Sequence, residues 1–466
     1  MQKILFFFLL SLSVHGFSQV YFSVPLNVGS SGSYGGYRPR VALMNDTVPL
    51  VTWCKAGVSQ GTYTSKWIYT PTYFTEPLQI FPSGTNFYAG VIDGPELLVT
   101  GDTVYLTVWG QQGTNNTIFL CRSFDGGSTF VDTNVVYTTI KRVEFPSIAL
   151  LGDGSIGIAF LKSELSELAP EILFTKSFDS GASWSSPLNI NLGNPGEPCE
   201  CCPLNLSANQ TYTTISFRNN LAGIRDFYAV NSTDFGNTFS ADFAIDTSLF
   251  LSTTCPISGV DGLIANDTLY TVHTTKIGGQ YQVKLGRTSL VDTVNFNTFL
   301  FPGGFQNHPS IAASGDTLAI VWQETSNAQD IFFTYKTATT PWSLPVNLTN
   351  ATGNQITPDI SIRKGLFHIV YYDQTALNRP RYIRGSFSPM TLSIDEPLIE
   401  KNMVYPNPFS TEITKLDHGL YKILDMSGNV LYKGNEMEIK NRLTLLPTGS
   451  YFLQAEKGIV QKLIKL

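Results

Sequence analysis

One phrase occurs three times in this chain: SFDGGSTF at 123–130, SFDSGASW at 177–184 and STDFGNTF at 232–239. The copies share a Ser, an Asp two residues later, a Gly two residues after that, a hydroxyl residue and a closing aromatic. Those residue types at that spacing specify a hairpin turn. The Asp side chain accepts hydrogen bonds from the turn's own amides, and Gly takes the positive-φ position. The aromatic is left to close over the turn and pack between neighbouring layers. Asp125, Asp179 and Asp234 are therefore read as structural.

Spacing near 55 residues, filled by short alternating segments, fits a unit of four strands repeated around an axis. Two other periodicities count the units. A proline near a strand start recurs at Pro39, Pro95, Pro146, Pro203, Pro256, Pro309 and Pro358. A turn followed by an alternating strand recurs in step, as in NDTVPLVTW (45–53), GDTVYLTVW (101–109) and GDTLAIVW (315–322). Both series have seven members in the same order, so the fold class is all-β: a β-propeller of seven four-stranded blades, with six as the alternative count. The last unit, about 355–388, lacks a fourth strand. YFSVPLNV (21–28) matches the fourth strands WSSPLNI (184–190) and WSLPVNL (342–348). The N-terminal strand is therefore expected to complete the last blade and remove an exposed edge.

Composition agrees with strands and tight turns. Charged residues are 14 %, aromatics 12 %, and there are 39 Gly and 25 Pro. A net charge of −6 provides no basic surface, so nucleic acid is not an expected partner. Residues 1–18 read as a signal peptide: Lys3, a short apolar run from Ile4 to Leu12, then the small residues Gly16 and Ser18. No later segment is apolar enough for a transmembrane span. Export permits disulfides among the six cysteines.

The octapeptides resemble the Asp box, or BNR repeat, of sialidase-like propellers, in which the box joins the third and fourth strands on the face opposite the active site. That resemblance covers 19–388 and implies a glycan-hydrolysing or glycan-binding mouth, possible exo-α-sialidase chemistry, and a glycan or glycoprotein ligand. It implies an arginine triad, a carboxylic acid and a tyrosine nucleophile. YRPR (37–40) is similar to the family's Arg-Ile-Pro motif, making Arg38 the first triad candidate, without the intervening Ile. Arg218 or Arg225 and Arg287 or Arg381 are candidates for the others. Asp226 and Tyr371, or Tyr372 in place of the latter, complete the catalytic candidates. The seven-fold count departs from the six blades of sialidases proper.

After a linker at 389–403, residues 404–466 carry VYPNPF, YKILDMSGNVL, LPTGSYFLQAEKG and QKLIKL. They resemble the C-terminal sorting domain of the type IX (Por) secretion system of Bacteroidetes, which implies a small β-sandwich, that machinery as a partner, and a secreted or cell-surface location.

PCECCP (198–203) is the remaining distinctive stretch. Cys202, Cys255 and His308 each precede a repeat proline, so the alignment expects them on one side of the channel mouth with Cys199 and Cys201 above. Two readings stay open for Cys199, Cys201, Cys202, Cys255 and His308. One is disulfides, Cys202 with Cys255 for example. The other is a copper or zinc site built from soft ligands. Without such a metal no cofactor is expected. A non-catalytic adhesion or recognition platform is the alternative to glycan chemistry.

Overall fold

The computed structural model describes residues 19–388 apart from 30–34, 57–60, 70–71, 81–85, 131, 192–195, 247, 253–257, 297, 300–302, 327 and 376–377, and residues 420–465 apart from 426–428 and 456–459. The chain divides into two compact units, Met1–Met390 and Thr391–Leu466.

The first unit is all-β. Its described residues form seven antiparallel sheets of four or five strands. Their first strands are Tyr37–Met44, Glu96–Thr100, Arg142–Leu150, Asn205–Ala208, Val260–Ala265, Phe305–Ser314 and Gln355–Arg363. Each packs on the first strand of the next sheet, or on that sheet's second strand, and Gln355–Arg363 packs on Tyr37–Met44. Second strands such as Val48–Lys55 and Thr103–Gln112 are buried along almost their whole length. Sheets on both sides explain that pattern, because a strand covered on two faces has no solvent side. Threonines tolerated there are satisfied across the sheet: Thr52 Oγ1 donates to the Tyr63 carbonyl (2.9 Å) and Thr107 Oγ1 to the Phe119 carbonyl (2.8 Å).

The last sheet takes strands from both ends of the unit. Arg379–Ser386 pairs with Tyr21–Phe22 (Tyr21 opposite Ser386) and with Leu26–Asn27 (Leu26 opposite Tyr382). The expected partnership of the N-terminal strand with the last repeat is present.

All three octapeptides join the third and fourth strands of their sheets. In the first, Asp125 Oδ1 accepts from the Ser123 hydroxyl (2.8 Å) and the Thr129 amide (2.9 Å), and Oδ2 from the Thr129 hydroxyl (2.7 Å). Asp179 makes the equivalent bonds to Ser177 and Ser183, and Asp234 to Ser232 and Thr238. The hydroxyl of Thr129, and likewise of Ser183, holds its aspartate's carboxyl below the ordinary range. A further link was not expected: a basic residue of the preceding sheet donates into each turn. Lys66 Nζ reaches the Gly126 carbonyl (3.2 Å), Arg122 Nη1 that of Ser180 (3.0 Å), and Lys176 Nζ that of Phe235 (3.0 Å). The closing aromatics also bridge sheets, as in the edge-on contact of Phe239 with Phe174 at 5.2 Å.

In the second unit the described strands run in the order Val430–Asn435, Leu420–Leu424, Gly449–Ala455, Val460–Lys465. The sequence reading expected a sandwich. Among the described residues there is one sheet, and a helix, Glu436–Thr444, covers it and buries Ile439 and Leu443 against Tyr421, Ile423 and Leu453. Asn435 caps it: its Oδ1 accepts from the Glu438 amide (3.1 Å), and Glu438 Oε2 accepts from the Asn435 amide (2.9 Å). That capping box is the local signal which the alternating pattern on either side concealed.

Two glycines separate backbone strain from packing. Gly181 has φ +82°, and a Cβ there would sit 2.4 Å from Leu120 Cδ2, whereas Gly113 has φ +64° and an open surround. Gly181→Ala should lose about 1–3 kcal/mol more than Gly113→Ala in urea denaturation, because it adds overpacking to the shared cost of positive φ. Equal losses would mean that the turn does not insert between the sheets.

Candidate functional site

Strands that begin with a proline cannot keep a regular ladder at that point. Four first strands break register there, between Tyr37 and Arg40, Glu144 and Ser147, Asn307 and Ser310, and Ile356 and Asp359. The residue before the proline is left-handed in each: Arg38 (φ 46°), Phe145 (52°), His308 (47°) and Thr357 (49°). This is costly for a non-glycine residue, and more so ahead of proline. Repetition of the same strained step in four sheets fixes how their side chains enter the space between the first strands, where strain commonly marks function.

That space is a cavity of about 230 Å³ touched by the first strands of all seven sheets; its charged and titratable lining is Arg38, Arg40, Glu96, Asp261, His308 and Asp359. Glu96 Oε1 takes Arg38 Nη2 at 2.5 Å and Arg40 Nη2 at 2.7 Å. Arg40 Nη1 continues to Asp359 Oδ1 at 3.3 Å. Ser310 then links two acids, with its Oγ 3.0 Å from Asp359 Oδ1 and 2.8 Å from Asp261 Oδ2. One hydroxyl has one proton to give, so two ionised carboxylates cannot both be served by it. Asp261 also accepts from the amides of Ile311 (2.9 Å) and Gly262 (2.9 Å) and from Asn205 Nδ2 (3.2 Å). Asp359 has the Val41 amide (2.8 Å) besides Arg40. The better-supplied Asp261 suits the anion, and Asp359 suits the shared proton. Burial raises both carboxyls, Asp359 to about 6 against the pull of Arg40. Burial, then Arg38 and Arg40, pushes His308 down to about 3, so its imidazole is neutral. On the third sheet's first strand, burial lifts Glu144 to about 7, even with Arg142 Nε 2.5 Å from its Oε1.

The other catalytic candidates are engaged elsewhere. Arg218 is 1 % exposed; it donates to the carbonyls of Arg225 (2.7 Å), Thr274 (3.0 Å) and Ser258 (3.3 Å) and lies over the Phe227 ring at 4.0 Å. Asp226 organises a loop by accepting from the amides of Leu249 (3.1 Å) and Phe250 (2.9 Å). Tyr371 is packed in an apolar cluster with Ile331, Ile369 and Ile383, and burial raises its phenol, the reverse of an activated nucleophile. Tyr372, raised to about 12, bonds Asn378. Arg381 donates to the Pro25 carbonyl (2.8 Å) and Arg287 lies over Tyr270. Of the expected sialidase set, only Arg38 lines the cavity. Arg40, Glu96, Asp261 and Asp359 were not selected as catalytic. The sequence signal for three of them was position: Arg40, Glu96 and Asp359 each directly follow a repeat proline.

The cysteine-rich stretch makes a separate cluster. Cys199 Sγ lies 3.1 Å from Cys202 Sγ and 3.6 Å from Cys201 Sγ. Arg225 Nη1 donates to Cys199 Sγ at 2.9 Å, and its Nη2 is 3.4 Å from Glu200 Oε1. Three sulfurs within 4.8 Å of one another are a donor set for a soft cation. Cys201, however, is disulfide-bonded, and the guanidinium against Cys199 opposes a second positive charge. Cys255 lies outside the described residues. Cys202 is in the thiol state, so the expected Cys202–Cys255 bridge is corrected. His308 does not join the sulfurs; it lines the cavity. Equivalent places in different sheets all face one axis but from different sides, which the alignment of prolines could not distinguish.

No family model matches the chain, and no curated protein does. Solved structures do. An ulvan lyase of a new polysaccharide lyase family aligns with TM-score 0.51 and 10 % identity over 78 % of this chain and 95 % of its own. The polysaccharide lyase Uly1 aligns with TM-score 0.50 and 11 % identity over 77 % and 92 %. Trypanosoma rangeli sialidase in complex with the inhibitor DANA gives 0.43 and 12 % over 70 % and 58 %. At these identities the likeness is one of fold: an all-β, propeller-like chain. Among the described residues no helix is long and apolar enough to cross a membrane.

The shared proton has a pH signature. An ordinary aspartate titrates at 3.8 and Asp359 at about 6, so the native state holds this proton more tightly than the unfolded chain. Stability from this group is therefore full below about pH 4 and lost as pH rises through about 6. Relative to Asp359→Asn, the native protein should lose up to about 3 kcal/mol across that window in urea titrations. A difference that stays flat would mean Asp359 is ionised throughout.

Proposed function

We propose that this chain is an exported, carbohydrate-active propeller of seven blades, closed by its N-terminal strand, that acts on glycans at the central cavity. The observation that carries this reading is the cavity's pair of buried carboxyls, Asp359 and Asp261, bridged by the Ser310 hydroxyl beside Arg38 and Arg40. Guanidinium groups donate charge-assisted hydrogen bonds to sugar hydroxyls and to uronate or sialate carboxylates, and carboxylates accept them from sugar hydroxyls. Asp359 suits proton donation to a glycosidic oxygen, since an acid is most effective when it titrates near the working pH. The propeller-like neighbours named for polysaccharide lyase activity, one of them bound to an oligosaccharide, support a glycan ligand. The sialidase form is the weaker version, because Arg218 and Tyr371 are enclosed.

The test is release of reducing ends or unsaturated products from a panel of acidic and neutral polysaccharides, with a fluorogenic sialoside alongside. Asp359→Asn should cut kcat by about 100-fold or more on an accepted substrate while the protein stays folded. Arg38→Lys should raise KM, because the planar fork is lost although the charge is kept. If no glycan of the panel is bound or cleaved, the carbohydrate reading fails and a recognition platform takes its place.

The C-terminal unit is proposed as the type IX sorting domain. It has a core of its own, so deleting residues 400–466 should leave the first unit folded but periplasmic. Surface delivery of the truncated protein, seen by fractionation, would rule out that assignment.

A further inference from the structure

We propose that Cys199 and Cys202 form a redox-active dithiol, separate from the cavity, which closes into a disulfide at the expense of a small disulfide oxidant. The spacing is Cys-x-x-Cys within a single turn, anchored by the Cys199 amide on the Arg218 carbonyl (2.7 Å). The two sulfurs are 3.1 Å apart. Bond formation needs an approach of only about 1 Å more.

The pair is chemically unequal. Cys199 is held toward its thiolate by the Cys202 hydrogen bond, against its own burial, with the Cys201 amide, Arg225 and Arg218 adding to the effect. Burial, then the neighbouring Cys199, keeps Cys202 a thiol well above the ordinary range. Glu200, 3.4 Å from Arg225, is the facing acid. A sulfur held toward its thiolate 3.1 Å from a protonated partner is the division of labour that exchange requires: one attacks, the other resolves.

The steps balance. The Cys199 thiolate attacks one sulfur of the small disulfide, forms a mixed disulfide and expels one thiolate. Cys202 then gives up its proton to that thiolate and attacks Cys199 Sγ, expelling the second. Two protein thiols become one disulfide, and the oxidant becomes two thiols. Both cysteines are buried while Cys201 beside them is half-buried, which restricts the oxidant to a small molecule. Arg225 is a positioning residue: it holds the Cys199 charge and touches no oxidant.

The full-length protein is treated with oxidised glutathione, denatured, alkylated and mapped by mass spectrometry, with copper and zinc measured on the untreated sample. The expected result is a loss of two alkylatable thiols and a Cys199–Cys202 linkage, restored by dithiothreitol. Cys202→Ser should stop at glutathione attached to Cys199. Arg225→Gln should slow oxidation about tenfold at neutral pH, with the rate recovering in alkali, where thiolate forms without it. A purely structural arginine would leave the pH profile unshifted. Persistence of both thiols after oxidant in the unmodified protein overturns the proposal, as does stoichiometric copper or zinc that must be chelated before the thiols react.

Discussion

One carboxylate oxygen of Glu96 is shared by Arg38 and Arg40, and the same Arg40 reaches Asp359. Those residues belong to the first, second and last sheets, so this ion network crosses the seam where the beginning and end of the unit meet. Burial lowers the Arg38 guanidinium and Arg40 reinforces that, while Glu96 opposes it. Loss of Glu96 would take from Arg38 its carboxylate partner and leave Arg40 with Asp359 alone, and breaking a buried ion pair on one side costs several kcal/mol. The remaining inner contacts hang from this junction: Asp359 to the Val41 amide and to Ser310, Ser310 to Asp261, Asp261 to Asn205. The chemistry proposed for the cavity is thus built from the groups that hold the first strands together, and substitutions there should be judged on folding before activity.

The architecture was legible because its signals are periodic. Prolines at one phase and octapeptides at another mark the same point in successive sheets, and the structure places the octapeptides between third and fourth strands. Less legible was what each proline does to its predecessor. Arg38 was expected in a carboxylate clamp and His308 beside the cysteines; the register break and positive φ that aim both into the cavity arise from the ladder lost at proline, a three-dimensional consequence. Lys66, Arg122 and Lys176 were likewise invisible as a set, because each acts on a turn some 60 residues later in the chain. Their shared feature, a basic residue on a third strand facing the next sheet's turn, can be recognised only once the sheets are stacked.

Motif similarity selected Arg38 alone. Arg218, Asp226 and Tyr371 came from the ends of second strands, and the fold uses them for packing and loop support. The residues just after the repeat prolines, Arg40, Glu96, Ser147, Ser310 and Asp359, line the cavity in sequence order. PCECCP drew notice for its cysteines as a group. The structure divides them: Cys199 and Cys202 as a thiol pair under Arg225, Cys201 in a disulfide.

The pairing of Tyr21–Phe22 and Leu26–Asn27 with Arg379–Ser386 has a temporal meaning. Strands about 360 residues apart in the chain complete one sheet, so the earliest-made strands wait for the latest. Contacts of such sequence separation form slowly. A chain made from its N-terminus therefore cannot finish this sheet until its far end arrives. The interval in which the sheet stays incomplete is set by the topology itself.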